Sequence, residues 1–353
     1  LDETDYMNQN CNCVEEFVMS GATTAPAWQK AMDSGAAKAE TPVQWCSATP
    51  TDVLATLDLH HITNMRVWMD FCLSPRDIGL SSLLAWLVGL APFKDTLWKS
   101  MNSRFPVLGC SWTTDDEATA VATLARLALL PTGPLGISDA IGATNATLVK
   151  RMISAGGTLL KPARPIVSVD ATLRRAANGQ LLATHAPSDA KAHVRLFLSF
   201  KMSAAWPAVA SQLYPPPPTT GTETLLAMRA IDDSGAKSCT NGADAVASGC
   251  VDALVTATKP DDVLCVAPKS DVTNGTDFCP TLTAAWPVYS VSGWVLHGEL
   301  DKYVPLSSQR FKATACTPTG VSALDRSAAG EGEIEATSLN PGGFHTPRQM
   351  LTT

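Results

Sequence analysis

Acidic residues that directly follow short apolar runs are the positions from which this sequence can do chemistry. Asp5 follows the run that opens at Leu1, Asp52 follows Pro42–Cys46, Asp70 follows Met65–Met69, and Asp139 follows Pro134–Ile137. If those runs are strands of a parallel sheet, their carboxyl ends and the loops beyond them carry the reacting groups. Asp52 has a plainer explanation, because Thr49-Pro50-Thr51-Asp52 ahead of an apolar stretch is a good helix start. Asp5 and Asp70 are the stronger pair. Neither is followed at once by an evident helix, and Tyr6, Trp68 and Phe71 surround them in the chain. Two carboxyl groups facing each other across an aromatic-walled gap suit cleavage of a glycosidic bond. One attacks or stabilises the oxocarbenium-like centre while the other, protonated, donates to the leaving oxygen. Sequence spacing does not bring the two together; a barrel would.

Other chemistries have less to work with. His60-His61 is the one histidine pair, and adjacent strand residues point to opposite faces, so a single metal ion does not take both. Cys11-Asn12-Cys13 is too tight for a redox CxxC, and no second CxxC completes a zinc site. There is no GxSxG elbow, no Walker loop and no GxGxxG after a strand. The two-carboxylate chemistry itself takes no cofactor and no metal.

The elements that must position these residues change character along the chain. Up to about residue 160, short apolar runs alternate with amphipathic stretches. Strands are expected at Leu1–Met7, Pro42–Cys46, Ile62–Trp68, Phe105–Gly109 and Pro134–Ile137, and helices at Ala27–Ala39, Thr51–Leu57, Leu80–Leu90, Asp115–Leu130 and Asn145–Ala155. Asp115, Asp116 and Glu117 suit the positive end of the helix they open. Five βα units recur at roughly 31 residues, the spacing of an eight-unit TIM barrel of about 250 residues. From Pro162 onward the pattern turns to period two, through Leu181–Thr184, Val194–Leu198, Trp286–Val291, Gly293–Leu296 and Tyr303–Leu306, with turn residues such as Asn178-Gly179 between. The expected fold class is therefore α/β: the C-terminal part of a (β/α)8 TIM barrel over residues 1–160, followed by an antiparallel β-sandwich domain over 161–353.

The chain has 353 residues, 45% hydrophobic and 17% charged, enough to bury a sizeable core. A net charge of −7, from 26 basic and 33 acidic side chains, argues against a nucleic-acid-binding surface. No apolar run reaches the roughly 18 residues of a membrane span. The longest, Ile78 to Leu90, reads as a buried helix. Ten cysteines, together with sequons at Asn145 and Asn274, favour a secreted or extracellular glycoprotein with disulfides. Turn residues between Cys239 and Cys250, and between Cys265 and Cys279, allow each pair to close, each closure contributing about 2–4 kcal/mol. Pairing among the remaining cysteines stays open.

A resemblance sharpens this picture. Gly133-Pro134-Leu135-Gly136-Ile137-Ser138-Asp139-Ala140-Ile141-Gly142, followed by Asn145, Leu148 and Val149 and then Gly157-Thr158-Leu159-Leu160-Lys161-Pro162, resembles the last barrel strand and following helix of the α-galactosidase and raffinose-synthase-like glycosidases. Glu3-Thr4-Asp5-Tyr6-Met7 is similar to the family segment that carries the nucleophile, and Asn64–Asp70 to the one that carries the acid/base. The resemblance implies a retaining α-glycosidase or transglycosidase, with Asp5 as nucleophile, Asp70 as acid/base, and Trp45, Trp68 and Asp139 around the sugar. A second reading keeps the fold without the catalysis, as an extracellular structural or carbohydrate-binding protein. Gly293–Tyr303 also has the texture of a preserved segment, with no chemistry attached. Five barrel units leave two open edges, and exposed strand edges pair with other chains. The expected partners are carbohydrate and either an N-terminal polypeptide that completes the barrel or copies of this chain in an assembly.

Overall fold

The structure, a computed structural model, describes residues 2–4, 15–46, 48, 50–67, 75–97, 117–173, 179–187, 193–200, 202, 206–209, 219–220, 223–224, 226–231, 255–257, 263–267, 281–287, 294–317, 320–325, 335–340 and 343–345. Its first half is built on a four-stranded parallel sheet of β1 (Asp2–Thr4), β2 (Val43–Trp45), β3 (Ile62–Arg66) and β4 (Ala91–Phe93). The strands lie side by side in chain order, so each βα unit docks next to the one before it. A short parallel pair follows, β5 (Thr96–Leu97) with β6 (Gly136–Ile137).

Helices Glu15–Ala39, Pro50–Ala55, Pro75–Leu87 and Glu117–Leu129 alternate with these strands. The first begins well before the expected Ala27 and runs through Pro26, a residue that removes one helix hydrogen bond and normally marks a boundary. The last is buried from Val121 to Leu130, the polar Thr123 and Arg126 among them, as a helix between packed layers must be. The expected helix at Asn145–Ala155 is shorter, Ala146–Lys150, because Arg151 onward turns to form the bridge between Ile153 and Leu159.

β4 was absent from the sequence expectation. Pro92 sits inside it, and a proline in a three-residue run argues against a strand. The fold tolerates it there because Val67 donates to the Phe93 carbonyl and Gly133 to the Pro92 carbonyl, so the acceptors on this strand are used even though Pro92 offers no N–H. Gly133 needs to be glycine. A Cβ at this position would stand 2.7 Å from the Pro92 carbonyl oxygen and 2.9 Å from that of Ala91, both of them backbone.

Past Lys161 the pairing is antiparallel. A six-stranded sheet runs in the order Val255–Ala257, Leu226–Ile231, Thr281–Pro287, β9 (His193–Phe200), β8 (Gln180–Pro187), β7 (Val167–Ser168). Its Leu182, Ala186, Val194, Leu196, Leu198, Leu282, Ala284 and Trp286 side chains are buried in the same core as Trp45, Ile62 and Met65 of the parallel sheet. Helix Pro75–Leu87 packs on β7 and β8, and Gly79 makes that approach possible: a Cβ there would stand 2.7 Å from Leu182 Cδ2 and closer still to Ser168 Oγ. Smaller antiparallel pairs, such as Trp206–Val209 with Val263–Ala267, complete this half among the described residues.

One expectation is corrected here. Tyr303–Leu306 is not a strand but a chain of turns, with Lys302 N–H on the Glu299 carbonyl and Glu299 N–H on the Pro305 carbonyl; its period-two apolar pattern reflects burial by the neighbouring layer. Of the expected strand Trp286–Val291, Trp286 and Pro287 close the strand Thr281–Pro287, and 288–291 lie outside the described residues. The expected strand Phe105–Gly109 lies outside the described residues.

Candidate functional site

Parallel strands release the chain at one end of the sheet, and side chains of mixed chemistry gather there. β2 ends on Trp45, followed by Cys46, β3 on Arg66, and β4 on Phe93, followed by Lys94 and Asp95. The register sets Trp45 beside Met65 and Arg66 beside Phe93, so these ends are level with one another. Arg66 Nη1 lies 3.6 Å from Asp95 Oδ2, and both side chains are largely buried. Asp95 takes a backbone φ of +29°, unusual for a residue with a Cβ, and so turns the chain between β4 and β5. Lys94 is wholly buried. Chemically this end of the sheet holds a guanidinium–carboxylate pair and a buried ammonium.

The residues expected from the sequence divide as follows. Trp45 is wholly buried, and its indole N–H finds no acceptor among the described residues. Asp139 is half-buried just beyond β6, whose continuation is fixed by the Ser138 N–H on the Leu97 carbonyl. Asp52 is buried inside the first turn of helix Pro50–Ala55, where Gln29 Nε2 donates to its Oδ1 at 2.8 Å, in keeping with the helix-start reading. Asn145 is exposed and caps helix Ala146–Lys150, its Oδ1 accepting from the Leu148 N–H at 3.1 Å. A glycan on Asn145 Nδ2 would leave that oxygen free to keep the cap. Cys265 sits opposite Pro207 in an antiparallel pair. Asp5, Trp68, Asp70, Asn274, Cys239, Cys250 and Cys279 lie outside the described residues. Arg66 and Asp95 went unassigned in the sequence; the signal that points to them is Lys94-Asp95 directly after the apolar run Leu90–Phe93.

A second polar cluster joins the two halves of the molecule. Lys161 Nζ donates to the carbonyls of Leu129 (2.9 Å), Pro131 (2.8 Å) and Ala128 (3.3 Å), capping the negative end of the buried helix Glu117–Leu129. Burial pushes its ammonium down to about 7, and the carbonyls around it oppose that shift. Ser307 Oγ donates to the Lys161 carbonyl, and the Tyr303 N–H to that of Arg151. The Tyr303 ring is wholly buried with the Arg151 guanidinium 4.5 Å from its centroid. Behind it, Arg310 Nε donates to Glu299 Oε1 at 3.1 Å, with both side chains almost fully buried. Burial raises the Glu299 carboxyl while Arg310 works against that rise. The Gly293–Tyr303 segment singled out in the sequence thus begins a clasp between the halves. Glu299, Tyr303, Ser307 and Arg310 are buried there, whereas Asp301 is exposed.

One groove of about 400 Å³ is mostly apolar and lined by Met32, Gly35, Ala36, Ala39, Thr41 and Val43. It lies at the amino end of β2, away from the carboxyl ends that carry Arg66 and Asp95. No set of three or more His, Cys, Asp or Glu is placed to hold a metal ion among the described residues. No helix among them is long and apolar enough to cross a membrane.

Arg195 on β9 is a buried charge without an acceptor among the described residues. Its side chain is wholly buried, all three guanidinium nitrogens find no acceptor among the described residues, and burial pushes its pKa down to about 9. Opposite it on β8, His185 is pushed down to about 4 by burial and by Arg164 and Arg195. Arg195→Met, similar in length and uncharged, is expected to raise the unfolding free energy in urea by about 1–4 kcal/mol. Arg195→Lys, which keeps the charge, should bring no such gain. A destabilised Met variant would show that the guanidinium has an essential partner.

No known family model matches the chain, and no curated protein matches it.

Proposed function

We propose that the protein is a secreted glycoside hydrolase-like protein of the α-galactosidase and raffinose-synthase type, hydrolysing or transferring α-linked sugars with retention. Asp5 is the nucleophile, Asp70 the acid/base, and Trp45, Trp68 and Asp139 belong to the sugar pocket. The observation that carries this reading is the parallel sheet wound in chain order. Asp5 follows β1 in the chain, Asp70 follows β3, and Asp139 follows β6, so strand ends precede each proposed group. Gly133, which opens the motif of the resemblance, lies against β4 with its N–H on the Pro92 carbonyl, a contact that accounts for a glycine there. In this reading the parallel units are the C-terminal part of a (β/α)8 barrel. The outer side of β1 is then where an N-terminal polypeptide, or another copy of the chain, would continue the pairing.

The non-catalytic reading, a structural or carbohydrate-binding protein, has its own support. Trp45 and Lys94 are wholly buried and Arg66 is engaged with Asp95, so much of the carboxyl end is committed to internal contacts. The test is to incubate the full chain with 4-nitrophenyl α-glycosides of several sugars and follow the anomeric proton by NMR. The catalytic reading expects the α-anomer to appear first. Sugar binding without turnover selects the second reading, and neither binding nor turnover overturns both.

A further inference from the structure

We propose that Arg195, with His185 opposite it and Arg164 nearby, forms an enclosed anion site in the antiparallel half of the molecule, filled by chloride. Side chains alternate between the two faces of a strand, and Val194, Leu196 and Leu198 of β9 belong to the core shared with the parallel sheet. Arg195 therefore lies with Phe197 and Ser199 on the other face, and all three are buried there. The register sets His185 of β8 on one side of Arg195 and Ala285 of the Thr281–Pro287 strand on the other. Ala285 is wholly buried and its methyl group offers no acceptor. The Ala163-Arg164 segment runs beside β8: the Ala163 N–H donates to the His185 carbonyl at 2.9 Å, and Thr184 Oγ1 donates to the Arg164 carbonyl at 2.6 Å. Both arginines act electrostatically on the His185 imidazole, so the three groups share one stretch of the sheet.

The Arg195 nitrogens Nε, Nη1 and Nη2 are enclosed and meet no acceptor among the described residues. Burial lowers the pKa of this guanidinium with no carboxylate beside it to oppose the shift. Arginine nevertheless keeps its proton, so the charge has to be met by an acceptor rather than removed. The occupant has to be small, because the Arg195 side chain has no exposed surface through which a larger molecule would reach it. Chloride is compact and monovalent, and it accepts N–H donors from several directions. A phosphate ester or a carboxylic acid brings a body for which this closed face has no opening. Burial, Arg164 and Arg195 together push His185 down to about 4, so near neutral pH its ring adds no further charge and keeps one N–H to donate. The stability gain expected of Arg195→Met then belongs to the protein without chloride. The inference is independent of the glycosidase reading, since it uses no residue of that site.

Urea unfolding of the full chain in rising sodium chloride, with sodium methanesulfonate holding the ionic strength constant, tests it. Once chloride exceeds its dissociation constant, each tenfold rise is expected to raise the wild-type folding equilibrium constant about tenfold, as one bound ion requires. Arg195→Met should be indifferent to chloride. Crystals of the wild type in sodium bromide give a readout that needs no variant, with an anomalous bromide peak expected against the Arg195 guanidinium. A wild type equally stable in both salts, a chloride response that survives in Arg195→Met, or no bromide at Arg195 overturns the proposal. So does an Arg195→Met variant less stable than the wild type in methanesulfonate alone, which would assign the guanidinium an acceptor from the chain itself.

Discussion

Asp5→Asn is expected to abolish turnover of every α-glycoside the protein cleaves, whatever the leaving group, while leaving sugar binding and folding nearly unchanged. In a retaining mechanism the nucleophile makes the covalent glycosyl intermediate, and the amide that replaces it can neither attack nor stabilise the developing positive charge. Asp70→Asn should behave differently. Its proposed task is to protonate the departing oxygen, so substrates with poor leaving groups should slow by about 10²–10⁴-fold. An activated aryl glycoside, which departs without a proton, should still form the intermediate. The contrast between the two variants, read on one good and one poor leaving group, separates nucleophile from acid. A retaining pair also requires carboxyl groups about 5–5.5 Å apart, against about 6.5–9.5 Å for inversion. Unchanged activity in Asp5→Asn would exclude it as the nucleophile.

Breaking the Glu299–Arg310 pair is expected to be the most damaging change outside that chemistry. Both charges are nearly fully buried, and removing one partner of such a pair typically costs about 3–5 kcal/mol. The two single variants should differ. Glu299→Met leaves the Arg310 guanidinium without its carboxylate, and arginine does not give up its proton. Arg310→Met leaves a carboxyl that burial already pushes toward the protonated form, so it can neutralise itself. The loss in Arg310→Met should therefore shrink as pH falls. In the wild type the sign is the same: a carboxyl whose pKa is raised on folding contributes most below its ordinary range, and that contribution is lost as pH rises through the raised value. The double variant, apolar on both sides, should recover much of the stability lost by Glu299→Met. Urea unfolding of all four proteins at two pH values checks this; equal losses at both pH values would contradict the account.

Much of the architecture can be read from local pattern. The switch from parallel to antiparallel pairing falls where the apolar period changes near Lys161, because a strand buried on both faces and one buried on a single face need different side-chain alternation. The strands at β2, β3 and β6, and the helix Glu117–Leu129, sit within a few residues of their expected places. Asp52 reads correctly as a helix-start residue, since that role depends only on its immediate neighbours. What local pattern misreads is equally informative. Pro92 hides β4, because the hydrogen bonds that make a proline acceptable there come from Val67 and Gly133, far away in the chain. Tyr303–Leu306 alternates like a strand, yet forms turns whose apolar side chains are buried beneath Arg151 and the segment around Lys161.

By itself, then, the sequence determines the things that one segment's own chemistry can settle: where apolar faces repeat, that Asp52 opens a helix, and that Ile78–Phe93 carries no charge. Only the tertiary structure decides which distant groups meet. Arg66 reaches Asp95 because β3 and β4 pair in one register, Lys161 finds three carbonyls because the connector crosses a helix end, and Glu299 meets Arg310 because the intervening turns fold back. The physical reason is range. Periodicity and capping act within a few residues along the backbone, whereas an ion pair or a carbonyl cage depends on the register and packing of elements that no local pattern fixes.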